Sequence, residues 1–303
     1  MKFLIDELNE GDRIDSYLAH LMHGISRSKI QKMIKEGFIT VNNSSTKSSY
    51  VLKENDNVEI QEINFENEYR IEPENIELDI VWEDDNMAVI NKPSGMLTHP
   101  TENEKSGTLV NALLYKYKNM LSDTNGDMRR GILHRLDRNT SGLIMIAKNN
   151  PTHEFLVKEM KEKHFTKKYL AIVKGVINED NFVIDSPIGR HLTQPHKQTV
   201  RTDGKESISI VKVLQRFKNA TLIEVTLVTG RTHQIRVHLS SIGHPVYNDT
   251  LYGFGKVKIK TDEQVLQSYK LEFTKPFTTE RILLEIPPDE KITKVIKFLQ
   301  SEN

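Results

Sequence analysis

The stretch His134-Arg135-Leu136-Asp137-Arg138-Asn139-Thr140-Ser141-Gly142 gathers side chains that could do chemistry. Asp137 lies between Arg135 and Arg138, and neighbouring cations favour the charged form of a partly buried carboxylate. Such a group can act as a nucleophile or a general base. The competing reading is local, because an aspartate in a turn often does no more than accept a backbone hydrogen bond. A second polar segment, Gly230-Arg231-Thr232-His233-Gln234-Ile235-Arg236-Val237-His238-Leu239, supplies further cations and imidazoles.

Other chemistries find little support. The chain has 0 cysteines, which excludes disulfides, thiolate metal sites and a cysteine nucleophile. Acids and histidines show no metal-ligand spacing, neither an EF-hand nor a His-Glu-x-x-His pattern occurs, and a lone aspartate makes a poor magnesium cage. Ser141 lacks the Gly-x-Ser-x-Gly elbow of a serine hydrolase. Neither a Walker loop nor Gly-x-Gly-x-x-Gly follows a strand, so no nucleotide cofactor is expected.

The elements that must position these residues can be read from periodicity. The run Leu143-Ile144-Met145-Ile146-Ala147 reads as a strand buried on both faces. Further strands are expected at 86–91, 169–173, 207–213, 221–228, 271–273 and 282–286, and the alternation in 207–213 and 221–228 suggests an antiparallel sheet with one face covered. Lys92-Pro93-Ser94-Gly95 reads as a turn. Helices are expected at 109–121, where Asn111 fits least well, from Pro151 through Met160, at 234–241 with Thr232 as N-cap, and at 291–299.

At the N-terminal end, a helix from Asp12 to near Gly24 carries Ile14, Leu18, Leu21 and Met22 at helical spacing. A second, capped by Ser26 and stopped by Gly37, sets Ile30, Met33 and Ile34 against Arg27, Lys29, Lys32 and Lys35. Strands at 38–41, 51–52 and 58–60, with turns at Asn42-Asn43 and 55–57, complete a small module. Acid-rich sequence around Pro73 reads as a linker whose charge would repel RNA. The expected organisation is therefore 1–62, a linker at 63–79 and a main body at 80–303.

With 303 residues and 37% hydrophobic content, there is material for two domains and at least one sizeable core. No apolar run approaches a membrane span, and the first residues meet acids too soon for a signal peptide, so a cytoplasmic protein is expected. The 42 basic and 42 acidic side chains balance to +0, so nucleic-acid binding would depend on where the charges lie. Basic residues gather around 27–35, 158–174 and 190–236.

Five motifs, in order, resemble the RluA/RluD-type RNA pseudouridine synthases. They are the N-terminal module, Asn91-Lys92-Pro93-Ser94-Gly95-Met96-Leu97-Thr98-His99-Pro100, the His134 to Gly142 block, Lys167-Lys168-Tyr169-Leu170-Ala171, and the Gly230 to Leu239 segment. The module resembles a small αβ RNA-binding domain named after a ribosomal small-subunit protein, which implies RNA contact by Arg27, Lys29, Lys32 and Lys35.

The resemblance implies an α+β catalytic domain on a mixed, largely antiparallel sheet, no cofactor and no metal. It also implies that Asp137 is the catalytic carboxylate, that Arg236 pairs with it and that Tyr169 packs on the uracil. Arg135 would fill the stack left by a flipped nucleotide, and Leu266 would lie under the base. His134, Thr140, Arg231, His233 and Gln234 are expected to touch substrate as well. Two departures, Leu266-Gln267-Ser268 and Lys275-Pro276, bear on local RNA contacts. The expected substrate is uridine in large-subunit ribosomal RNA, with a tRNA as the alternative, and the chain is expected to act as a monomer. A non-catalytic RNA chaperone and a nucleoside-cleaving hydrolase are the rival readings.

Overall fold

The computed structural model describes residues 1–302 apart from 8, 23, 24, 26, 62–70, 102, 254–258, 260, 262 and 263. Two compact units divide the chain, Met1–Arg70 and Ile71–Asn303.

In the first unit β1 (Lys2–Leu4), α1 (Ile14–Leu21), α2 (Arg27–Lys35), β2 (Ile39–Val41), β3 (Ser44–Ser45) and β4 (Asn57–Ile60) follow in order, and the strands form an antiparallel sheet β1-β4-β2-β3. Ile14 and Leu18 of α1 and Ile30, Met33 and Ile34 of α2 close over Ile39, Val41 and Val58, as helical spacing demands. Leu21, expected on that buried face, is exposed. The α2 helix ends where Gly37 takes φ +82°, with Phe38 N–H donating to Met33 O at 3.0 Å. Asn42 and Asn43 both have positive φ and turn β2 into β3. The expected strand at 51–52 is reduced to one bridge, Arg13 to Val51, and Ser26 lies outside the described residues.

Arg27 is partly spoken for. Its Nη2 donates to Asp15 Oδ1 at 3.0 Å, and Arg13 and Gln31 bind the same buried carboxylate. These hydrogen bonds, Arg13's foremost, hold Asp15 well below the usual carboxylate range. Lys32 pairs with Glu36 at 3.7 Å, Lys29 is half-buried, and Lys35 is exposed.

The second unit holds β5 (Ile80–Glu83), β6 (Met87–Lys92), α3 (Leu109–Tyr117), β7 (Ser141–Ala147), α4 (Asn150–Lys161), β8 (Thr166–Lys174), β9 (Asn181–Asp185), β10 (Ile188–Arg190), β11 (Gln198–Val200), β12 (Ile208–Arg216), β13 (Ala220–Leu227), α5 (Gln234–Ser241), β14 (Leu266–Thr274), β15 (Arg281–Glu285) and α6 (Glu290–Ser301). The main sheet runs β5-β6-β7-β14-β8-β13-β12-β9, with β15 also on β14, and β10 pairs with β11 separately. Its strands are antiparallel except where β14 meets β7 at Gln267–Ser141 and Ser268–Gly142. At that junction Gly142 has φ +110°, and a Cβ there would lie 2.0 Å from Ser268 O. Only glycine fits there.

Strand β7 is buried throughout because both faces are covered. Ile144 and Ile146 pack in a core with Leu109, Leu113, Ile235 and Leu239, while Leu143 and Met145 pack with Leu156, Phe165 and Phe273. Asn111, which fitted its helix least well, closes a capping box with Thr108, and its Nδ2 donates to Glu72 O at 2.8 Å. The segment 71–79, expected within the linker, instead lies along the second unit: Ile71 is buried in its core, and Asn91 N–H donates to Asp79 O at 2.9 Å. Acidic composition concealed a strap held by backbone bonds, by the carboxylates of Glu74 and Asp79, which accept from Gly107 N–H and Asn91 Nδ2, and by Ile71 and Leu78 on the core.

Candidate active site

The loop before β7 is fixed from several sides. The ammonium of Lys92, fully buried, donates to the carbonyls of Pro93, Met96 and Arg138. Thr98 Oγ1 donates to Leu136 O at 2.9 Å, and Lys291 of α6 reaches Asn139 O at 3.2 Å. Charge-assisted bonds to backbone carbonyls set loop geometry without placing an acid nearby. The Lys92-Pro93-Ser94-Gly95 turn is therefore a cradle for the loop that carries Asp137.

Asp137 Oδ2 accepts from Arg236 Nη1 at 3.1 Å, while Oδ1 makes no hydrogen bond among the described residues. One carboxylate oxygen is pinned, the other is left without a hydrogen bond among the described residues, and the residue lines the cavity. Arg236, on α5, forks onto a second carboxylate that sequence reading missed: Nε and Nη2 reach the two oxygens of Asp249 at 2.7 and 2.9 Å. Burial pulls the Arg236 pKa down, and the paired Asp249 and then Asp137 more than restore it. Asp249 is itself fixed by the Leu251 and Tyr252 amides at 2.9 Å each.

The Tyr252 ring lies 5.1 Å from the Arg236 guanidinium carbon. Its hydroxyl accepts from Gln198 N–H and is hydrogen-bonded with His233 Nδ1, 2.8 Å away. The other ring nitrogen, Nε2, lies 3.9 Å from Asp137 Oδ2. His233 also opens α5 with φ +57° and no side-chain cap, in place of the expected Thr232 cap.

A cavity of about 700 Å³ contains this pair and is lined further by Arg135, Tyr169, Leu266 and Arg231. Tyr169 and Leu266 come from the adjacent strands β8 and β14. Burial pushes the Tyr169 hydroxyl up, out of the range where it would ionise. Arg135 is exposed at the rim, with no hydrogen bond or ion pair among the described residues.

The remaining expected residues also line the cavity, but several spend their polar atoms within the protein. Gln234 donates to Ile208 O and Ser209 Oγ and accepts from Thr229 Oγ1 and Arg231 N–H, so its amide holds the 229–231 loop and is not offered to a ligand. Thr140 Oγ1 accepts from Gln264, and Arg231 Nε is taken by Glu206 O. His134 Nε2 accepts from Met145 N–H at 3.1 Å, which ties the loop to β7. Half-buried Glu159 and exposed Glu162 and His164 bring ligand atoms within 4.8 Å of one another, contrary to the expectation of no such spacing, but none of them lines the cavity.

His134 gives a pH prediction. Burial, helped by the Lys167 cation, pulls it from 6.5 down to about 3. Between those values the unfolded chain binds a proton there and the native state does not, so stability falls as pH is lowered through that window. His134→Gln keeps an acceptor for Met145. It is expected to flatten the fall between pH 6.5 and 4 by at most about 1.4 kcal/mol per pH unit in urea melts; an unchanged slope would show that the imidazole is not withdrawn from water.

A buried guanidinium thus holds two carboxylates, one of them lining a cavity large enough for a nucleoside. The sequence pattern of the RNA pseudouridylate synthase family matches residues 86–241, and that of the S4 domain matches residues 12–58. The chain is 40% identical to the RNA pseudouridine synthase YlyB of Bacillus subtilis, over 97% of this chain and 96% of that protein. It is 36% identical to the ribosomal large subunit pseudouridine synthase D of Pseudomonas aeruginosa, over 96% of this chain and 93% of that protein. The solved structure of human RNA pseudouridylate synthase domain containing 1 superposes with a TM-score of 0.57 at 25% identity, over 74% of this chain and 95% of that one. The chain belongs to the RNA pseudouridine synthase family, with an S4 domain at its N-terminal end. Its reaction is the isomerisation of uridine in RNA.

Proposed function

We propose that this enzyme converts specific uridines of large-subunit ribosomal RNA to pseudouridine, with Asp137 as the carboxylate that acts on the flipped nucleotide. The observation that carries the reading is the 3.1 Å pairing of Asp137 with Arg236, two groups 99 residues apart in sequence, in a cavity large enough for a nucleoside. Relatives named for the ribosomal large subunit align along nearly the whole chain, which supports ribosomal RNA over tRNA.

The isomerisation breaks the bond between uracil N1 and the ribose, turns the base and joins C5 to the same carbon, with C5 giving up its proton and N1 ending protonated. Neither electrons nor a group need to be supplied from outside. The open Oδ1 of Asp137 acts at the sugar as nucleophile or at the base as general base. Arg236 positions the carboxylate, and Tyr169 and Leu266 supply apolar surface for the base. A stacked uracil cannot reach this cavity, so the nucleotide must leave its helix at a cost of about a few kcal/mol. Arg135 at the rim presents a guanidinium plane that can stack where the base was.

The test is conversion. Purified protein is incubated with large-subunit ribosomal RNA from cells lacking it and, separately, with tRNA, and pseudouridines are then mapped. New pseudouridine at discrete positions in the ribosomal RNA is expected; modification confined to tRNA would reassign the substrate, and free uracil would make the enzyme a hydrolase.

A further inference from the structure

The cavity extends beyond what a single nucleoside requires, and its other end holds a cation not used in the isomerisation described above. Lys167 lies on β8 two residues before Tyr169, and side chains two apart on a strand share a face. It therefore projects into the same cavity as Tyr169, displaced along the strand by about 7 Å. Its ammonium lies 5.6 Å from the Phe165 ring centroid, a cation–π contact with an apolar wall of the cavity. Across from it is Gly230, where even an added Cβ would stand 3.7 Å from Nζ. A backbone without a side chain borders the ammonium and leaves room for a ligand atom.

No carboxylate is within ion-pair distance of Lys167 among the described residues, whereas its neighbour Lys168 is paired with Glu224 at 2.9 Å. Burial lowers the Lys167 pKa, a cost that no carboxylate among the described residues offsets. A built cationic position without an internal anion fits an anion supplied by the ligand. A uridine in RNA has a neutral base and a neutral ribose. Its anionic groups are the phosphodiesters on either side, which lie several ångströms from the base, as Lys167 lies from Tyr169.

We propose that Lys167 is a substrate-binding residue that grips a phosphodiester flanking the flipped uridine, and so fixes how far the nucleotide enters the cavity. The proposal rests on the reading of this cavity as the uridine site, so wild-type conversion of the same RNA is measured alongside.

Lys167→Met, which keeps the stem and removes the charge, is expected to raise KM roughly tenfold while leaving kcat within about twofold. The dependence of log affinity on log salt should become shallower by about 0.7, the contribution of one phosphate on a single strand. Lys167→Arg should recover most of the loss. RNAs with a neutral methylphosphonate on the 5′ or the 3′ side of the target uridine supply the second arm: one of them should raise KM for the wild type and have no further effect on Lys167→Met. A fall in kcat with KM and salt slope unchanged would overturn the proposal and place the ammonium on the reacting base. Should Lys167→Met fail to fold, the wild type and Lys167→Arg decide the matter, and a KM indifferent to both methylphosphonates would equally overturn it. If the wild type converts nothing, the uridine reading fails first.

Discussion

Asp137→Asn is expected to lower uridine conversion by roughly 10³-fold or more, with the RNA dissociation constant changed by no more than about threefold and the fold intact. The asparagine occupies the same volume, and its oxygen can still accept from Arg236 Nη1. The guanidinium keeps its fork onto Asp249, so no buried cation is left without an anion. What disappears is the charge at Oδ1, the oxygen the protein leaves unbonded. Single-turnover conversion, RNA binding and thermal melting, measured on one preparation, separate chemistry from structure. An Asp137→Asn protein that melts early or fails to bind RNA would demote Asp137 to a structural residue.

The largest structural effect is expected at Asp249, away from the open oxygen. Asp249→Ala removes the main anion from Arg236, a guanidinium whose side chain is only 8% exposed, and frees the Leu251 and Tyr252 amides. Breaking a buried pair from one side costs about 3–5 kcal/mol, which for a unit of this size lowers Tm by about 10 °C. Activity should fall with it, because Arg236 is then free to swing away from Asp137.

The effect has a pH signature. Burial raises the Asp249 pKa, but the hydrogen bonds from Arg236 more than offset it, and the carboxyl sits below its ordinary value. Its contribution to stability is thus full above the ordinary carboxylate value and is lost as pH falls below it. The gap in Tm between wild type and Asp249→Ala should narrow on acidification; a gap constant with pH would mean that the pair is not ionic.

Much of this site could be read in the sequence because its motifs lie on elements with strong local signals. The α5 helix occupies the expected 234–241, and the apolar run after Asp137 is the central strand it was read to be. Asp249 and Tyr252 escaped because nothing local marks them: they sit in irregular sequence after α5, and their roles exist only once Arg236 has packed against them. Gln234 misled in the opposite sense, since a polar residue inside a motif looks like a ligand contact until its four internal bonds are seen. Strand β9 and the β10–β11 hairpin were not expected, and both are short. The acidic strap at 71–79 resembled a linker because its anchors, Ile71, Glu74, Leu78 and Asp79, follow no helical or strand period and find their partners only in the folded unit.

The loop bearing Asp137 is braced by Lys92 from before it and by Lys291 from the closing helix, while Arg236 and Asp249 enter from between. During synthesis these braces leave the ribosome in sequence order, and the last emerges with the final helix. The Asp137 loop therefore gains its full set of braces only once the chain has folded through Lys291.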